Sequence, residues 1–153
     1  MRFVLLVLAV ACAHAPLKES VFGKRVGLGE VVGDRDATAA LKDALNETFA
    51  FELPNPQLHL HVDASTSGFD EPVQSMQVTD GKTPTQPRMM QRVQTMRATL
   101  RLVDDGSGEV VALGVYEVME KGPERPPGAM ASDDLTTILA RRVVRKFVEQ
   151  NHL

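Results

Sequence analysis

Between residues 96 and 119 the chain spells out a strand, a turn and a second strand. Met96, Ala98, Leu100 and Leu102 alternate with Arg97, Thr99 and Arg101. That two-residue period belongs to a sheet with one face buried and the other wet. Asp104-Asp105-Gly106-Ser107-Gly108 supplies the turn, and residues 109–119 return as an apolar partner strand. An antiparallel hairpin of this kind must have its apolar face covered, so the rest of the chain has to provide the cover.

Two segments have the spacing to do so. Ala37, Leu41, Leu45 and Phe49 recur every four residues, which predicts an amphipathic helix over 37–49 behind Asp34 or Asp36 as N-cap. It must stop before Pro54 and Pro56. Leu135, Leu139, Val143 and Phe147 predict a second helix to about residue 150. Ser132 is its expected N-cap, with Asp133 and Asp134 in the first turn and Arg141, Arg142, Arg145 and Lys146 towards the end, an order that suits the helix dipole.

Two further strands precede the hairpin. Residues 24–32 carry Val26, Leu28, Val31 and Val32, interrupted by Gly27 and Gly29. Residues 57–64 alternate strictly, with Leu58, Leu60 and Val62 on one face and His59, His61 and Asp63 on the other. Residues 65–86 are rich in Ser, Thr, Gln, Pro and Gly and are expected to form a long loop with at most an edge hairpin. Residues 122–128 read as a Pro-rich loop. The expected order is β-α-β-β-β-α: an α+β fold in which two helices cover one face of a small, mostly antiparallel sheet. A chain of 153 residues suffices for one such domain, placed at 23–153.

The N-terminus carries an address. Arg2 precedes the apolar run from Phe3 to Val10, which would rise only about 12 Å as a helix and cannot span a bilayer. Residues 1–11 read as a signal peptide. Leu8-Ala9-Val10-Ala11-Cys12 resembles the lipobox of bacterial lipoproteins, in which the cysteine is acylated with fatty chains such as palmitate and becomes the new N-terminus. Cleavage after Ala15 is the alternative. Cys12 is the only cysteine, so it has no disulfide partner within the chain. Residues 12–22 then form a lipidated tether. In the sorting rule of such lipoproteins, Ala13 in place of aspartate after the cysteine implies the periplasmic face of the outer membrane. With 43% hydrophobic and 24% charged residues and a net charge of −3, the chain is neither disordered nor a nucleic-acid binder driven by bulk positive charge.

Cys12 and the element order from Lys24 onward resemble the small periplasmic lipoproteins of the YajG type and, more distantly, the LPS-assembly lipoprotein (LptE) group. The resemblance implies a compact domain behind a lipidated cysteine, held on the membrane by its acyl chains and acting as a non-enzymatic binding or envelope-assembly accessory.

Side chains that could carry chemistry are few. His59 and His61 stand about 7 Å apart on one strand face beside Asp63, close enough to share a metal ion if a third ligand arrives from elsewhere. Met76, Met89, Met90 and Met96 are soft ligands without ligand spacing. Residues 27–33 superficially resemble a phosphate-binding turn, but the spacing of their glycines has one residue too many. They read as a loose strand end. Arg88, Arg92, Arg97 and Arg101 lie along the third strand and its approach, and Arg97 and Arg101 share its polar face, where they could meet an anionic lipid or an acidic protein surface. No nucleophile elbow and no catalytic triad pattern occurs. The expectation is a non-enzyme without cofactor, with the membrane and an envelope protein or anionic lipid as partners. The alternative is a soluble secreted domain with weak metal-dependent activity at His59 and His61.

Overall fold

The computed structural model describes residues 17–73, 89–130 and 134–153. Seven elements follow one another: β1 (Ser20–Val21), β2 (Lys24–Gly33), α1 (Arg35–Asn46), β3 (Leu58–Pro72), β4 (Met90–Asp104), β5 (Val110–Arg125) and α2 (Leu135–Gln150). The strands form one sheet in sequence order. β2 and β3 run parallel, joined by the crossover through α1 that a parallel pair requires; the other pairs are antiparallel. The expected α+β fold, with two helices on a small and mostly antiparallel sheet, is what forms.

The core lies between the sheet and the helices. Leu58, Leu60 and Val62 of β3 and Met96, Ala98, Leu100 and Leu102 of β4 meet Leu41 and Leu45 of α1 and Leu139, Val143 and Phe147 of α2, all buried in one cluster. Both predicted helix stripes are therefore correct in register. The boundaries shift for physical reasons. α1 ends at Asn46 rather than 49, because the Thr48 hydroxyl turns back to the Ala44 carbonyl and Phe49 pairs as an isolated bridge with Lys18. α2 is capped by Asp134, whose carboxylate accepts the Thr137 N–H at 3.1 Å. Ser132, the expected cap, and Asp133 lie outside the described residues. Neither an acid in the first turn nor a base in the last turn is present, so the cap replaces the dipole pairing expected there.

The largest correction concerns the expected loop at 65–86. Its first part, through Pro72, continues β3 in unbroken register with β4, from Ser65 opposite Arg97 to Pro72 opposite Met90. The hydrophobic contrast vanishes there because this end of β3 reaches past the helices and is wet on both faces, as the mainly exposed residues 65–72 record. The rest of that stretch, 74–88, lies outside the described residues. β5 likewise overruns the expected Pro-rich loop to Arg125. Pro123 sits where the pairing with β4 skips a position, on an edge strand, where a missing N–H costs little. From α2, Arg142 donates to the Met119 carbonyl of this edge strand at 3.0 Å. The tether expected over 12–22 also gives way at its far end: Ser20 and Val21 pair with β2, and Val21 is buried.

The expected turn after β4 is organised by Asp104. Its carboxylate accepts the N–H groups of Gly106 (2.9 Å) and Ser107 (3.3 Å) and pairs with Lys24 from β2. The Lys24 hydrogen bond, followed by those two amides, holds the Asp104 carboxyl below the usual carboxylate range. A carboxyl with a depressed folded-state pKa stabilises the fold above its unfolded pKa, and that contribution disappears as pH falls through the folded value. Thermal midpoints should therefore fall on acidification below about pH 4. Asp104→Asn should lower the midpoint at pH 6 and shrink the drop between about pH 5 and 3; an unchanged acid limb would remove Asp104 from the account.

Candidate functional site

Both helices lie on one side, and among the described residues nothing covers the opposite face of the sheet around β3 to β5 from Asp63 to Val115. On it β3 places His59, His61, Asp63 and Ser65, β4 places Arg97, Thr99 and Arg101, and the edge strand β5 places Leu113, Val115, Glu117 and Met119. Leu113, Val115 and Met119 are exposed, Val115 by 73%. A shallow depression of about 410 Å³ runs across this face between Asp63, Ser65, Thr99, Val115 and the Arg97–Glu117 pair.

The two arginines singled out from sequence share this face but not a task. Arg97 Nε donates to Glu117 Oε2 at 2.9 Å across the strands, so its charge is locally balanced. Arg101 stands between His61 and Leu113 in the register, exposed, with no ion pair found among the described residues. Arg92 belongs to the other face: it lies opposite Asp70, which also receives Arg125 Nη2 at 2.7 Å. Arg125 chiefly, with Arg92, holds the Asp70 carboxyl below its ordinary range. These three line a second depression of about 400 Å³ with Gly128, Ala129 and Met130. The Asp70–Arg125 pair spans 55 positions and had no local signal by which sequence could have found it. Arg88 lies outside the described residues.

The two histidines are not arranged to share an ion. His59 Nδ1 lies 2.8 Å from Asp105 Oδ1, while His61 Nδ1 accepts the Glu30 N–H at 3.2 Å. Among the described residues no group of three or more His, Cys, Asp or Glu is placed to hold a metal. The imidazoles explain the glycines of β2 instead. A Cβ at Gly29 would come within 2.9 Å of the His61 ring, and one at Gly27 within 2.9 Å of Pro56 and 3.2 Å of His59. Gly27 is thus a paired strand residue opposite His59, and Gly29 sits where the β2–β3 register shifts between Leu28 and Val31; both let neighbouring rings cross the backbone within a strand that continues to Gly33.

No protein-family model matches the chain, and no curated protein matches it. Among solved structures it is similar to a candidate lipoprotein from Caulobacter crescentus, at 19% identity and TM-score 0.45 over 81% of this chain and 86% of that one. It is also similar to a minor lipoprotein from Acinetobacter baumannii, at 10% identity and TM-score 0.44 over 81% and 93%. Likeness at this level says nothing of ligand or partner.

Proposed function

We propose that this protein is a lipid-anchored envelope lipoprotein that works by binding, as an assembly accessory of the kind its YajG-type resemblance implies, and not by catalysis. The observation that carries the binding role is the sheet face away from the helices, where Leu113, Val115 and, beyond Glu117, Met119 are exposed along an edge strand, with the exposed Arg101 beside Leu113. Apolar side chains scattered singly on a surface need no explanation, but three aligned on one strand face with an arginine alongside suit a protein contact. The anchoring role rests on Cys12 and the apolar run before it. Each buried acyl methylene contributes about 0.8 kcal/mol, so several chains would hold the domain on the membrane durably. Ala13 directs it to the periplasmic face of the outer membrane.

Intact mass of the processed protein, with membrane fractionation of wild type and Cys12→Ser, tests the anchor. The expected result is a mass starting at Cys12 plus acyl chains, outer-membrane density for wild type, and an uncut, released or mislocalised precursor for the variant. A mass starting after Ala15 without acyl chains would overturn the anchor. A photo-crosslinking residue in place of Val115 in cells should trap a partner that the same residue in place of Lys42 on α1 does not; the reverse pattern would move the contact to the helix layer.

A further inference from the structure

One pole of the domain lies beyond the proposed binding face. β2 and β3 start there and β4 ends there, since Val26 lies opposite Leu58 and Leu58 opposite Asp104. The first described residues and the last meet there too: Lys18 Nζ donates to the Leu153 carbonyl, and the Lys18 backbone pairs with Phe49 just past the end of α1. The β1–β2 hairpin projects at this pole, and its tip is Phe22-Gly23.

That tip is built against local preference. Val21 pairs with Lys24, which leaves two loop residues, and both have positive φ, +50° at Phe22 and +74° at Gly23. This is the backbone of a type I′ turn, whose first central position favours Asn, Asp or Gly. A phenylalanine in the left-handed region is a conformational outlier, and the fold leaves it 60% exposed. Leu17, where the described chain begins, is exposed as well. Of the three cations between residues 17 and 25, Lys18 is engaged by the Leu153 carbonyl and Lys24 by Asp104, while Arg25 has no ion pair among the described residues.

We infer that this tip is a membrane contact: Phe22, supported by Leu17, sits in the bilayer interface, and Arg25 faces anionic phosphate headgroups. The inference rests on the lipid anchor proposed above. Four residues separate Cys12 from Leu17, so the start of the domain lies within about 18 Å of the acylated residue even with the chain fully extended. The pole bearing the outward aromatic is thus the one the tether would hold at the surface. An aromatic ring at headgroup depth is a common anchor there, and basic residues near anionic lipid add to it. The tip would thereby orient the domain, leaving the uncovered sheet face pointing sideways into the periplasm.

The chain contains no tryptophan, which makes the test direct. Phe22→Trp and, as a control, Val115→Trp each give a protein with a single indole. The processed protein is reconstituted into vesicles of phosphatidylethanolamine with phosphatidylglycerol, with and without brominated acyl chains, and the same preparation is weighed by intact mass. The expected result is a blue-shifted emission for the Phe22→Trp variant, quenched at least twofold by brominated lipid, while the Val115→Trp variant emits as in buffer. Identical emission and quenching of the two variants, in preparations that carry acyl mass, overturns the tip contact and leaves the anchor standing. Absence of acyl mass overturns the anchor and the tip contact with it.

Discussion

Gly33→Ala should cost about 3 kcal/mol or more, although it adds one methyl group at the end of a surface strand. Gly33 closes β2 with φ +123°, a conformation that an L-residue rarely adopts. A Cβ built there would lie 1.8 Å from the Ala64 carbonyl oxygen and under 3 Å from the Ala64 carbonyl carbon and amide nitrogen. All three are backbone atoms of β3, so no side-chain rotation relieves the clash. That carbonyl also accepts the Asp34 N–H at 2.9 Å, and the Asp34 carboxylate accepts the Thr66 N–H at 2.7 Å. Pushing β3 away therefore strains the join through which β2 turns into α1. Urea unfolding should show a lowered midpoint, with early amide exchange at Asp34 and Thr66. Gly114→Ala makes the useful contrast: its Cβ would meet only the Tyr116 side chain, which can move, at the expense of the 2.9 Å bond to Gln150. Equal stability of Gly33→Ala and wild type would show that the β2–α1 join has room to rearrange.

Phe147→Ala should cost about 3–5 kcal/mol, a large part of the roughly 5–15 kcal/mol that holds a domain folded. The ring is fully buried, on the α2 stripe that faces the sheet and α1. Its backbone carbonyl accepts the Asn151 amide and side chain at the end of the helix, contacts that an alanine retains. The loss would then report the cavity and not the helix cap. Ile138→Ala on the same helix, at a half-exposed position, should stay within about 0.5 kcal/mol. Soluble yield and urea midpoint should separate the two variants; similar midpoints would mean that α2 packs differently against the sheet.

What could be read in the sequence was what burial writes into it. Leu100 and Leu102 alternate with Arg101 because one side meets the helices and the other meets water. Residues 65–72 carry no such contrast, since both faces of β3 are wet beyond the helices, and a real strand there looks like a loop. The glycines misled for a related reason. Gly27 and Gly29 serve rings on the neighbouring strand, and a contact between strands leaves no local trace. Phe22-Gly23 was hidden because a type I′ turn is recognised by asparagine or glycine, and here a phenylalanine stands in that place. For the uncovered face, Arg97 and Arg101 were legible as neighbours on one side of β4. The Glu117 that balances Arg97 and the apolar row beside them came only with the register of β5.

The guanidinium of Arg142 on the Met119 carbonyl has a consequence for solubility. An edge strand as long as β5 is a template on which another copy could extend the sheet without limit. Arg142 takes an acceptor an incoming strand would need and lays a charged side chain across its path, while the Pro123 skip interrupts the ladder a few residues further on. Open positions are thereby confined to the first half of the strand, beside Leu113 and Val115. On this edge the ladder that another copy could build is shortened to a few positions.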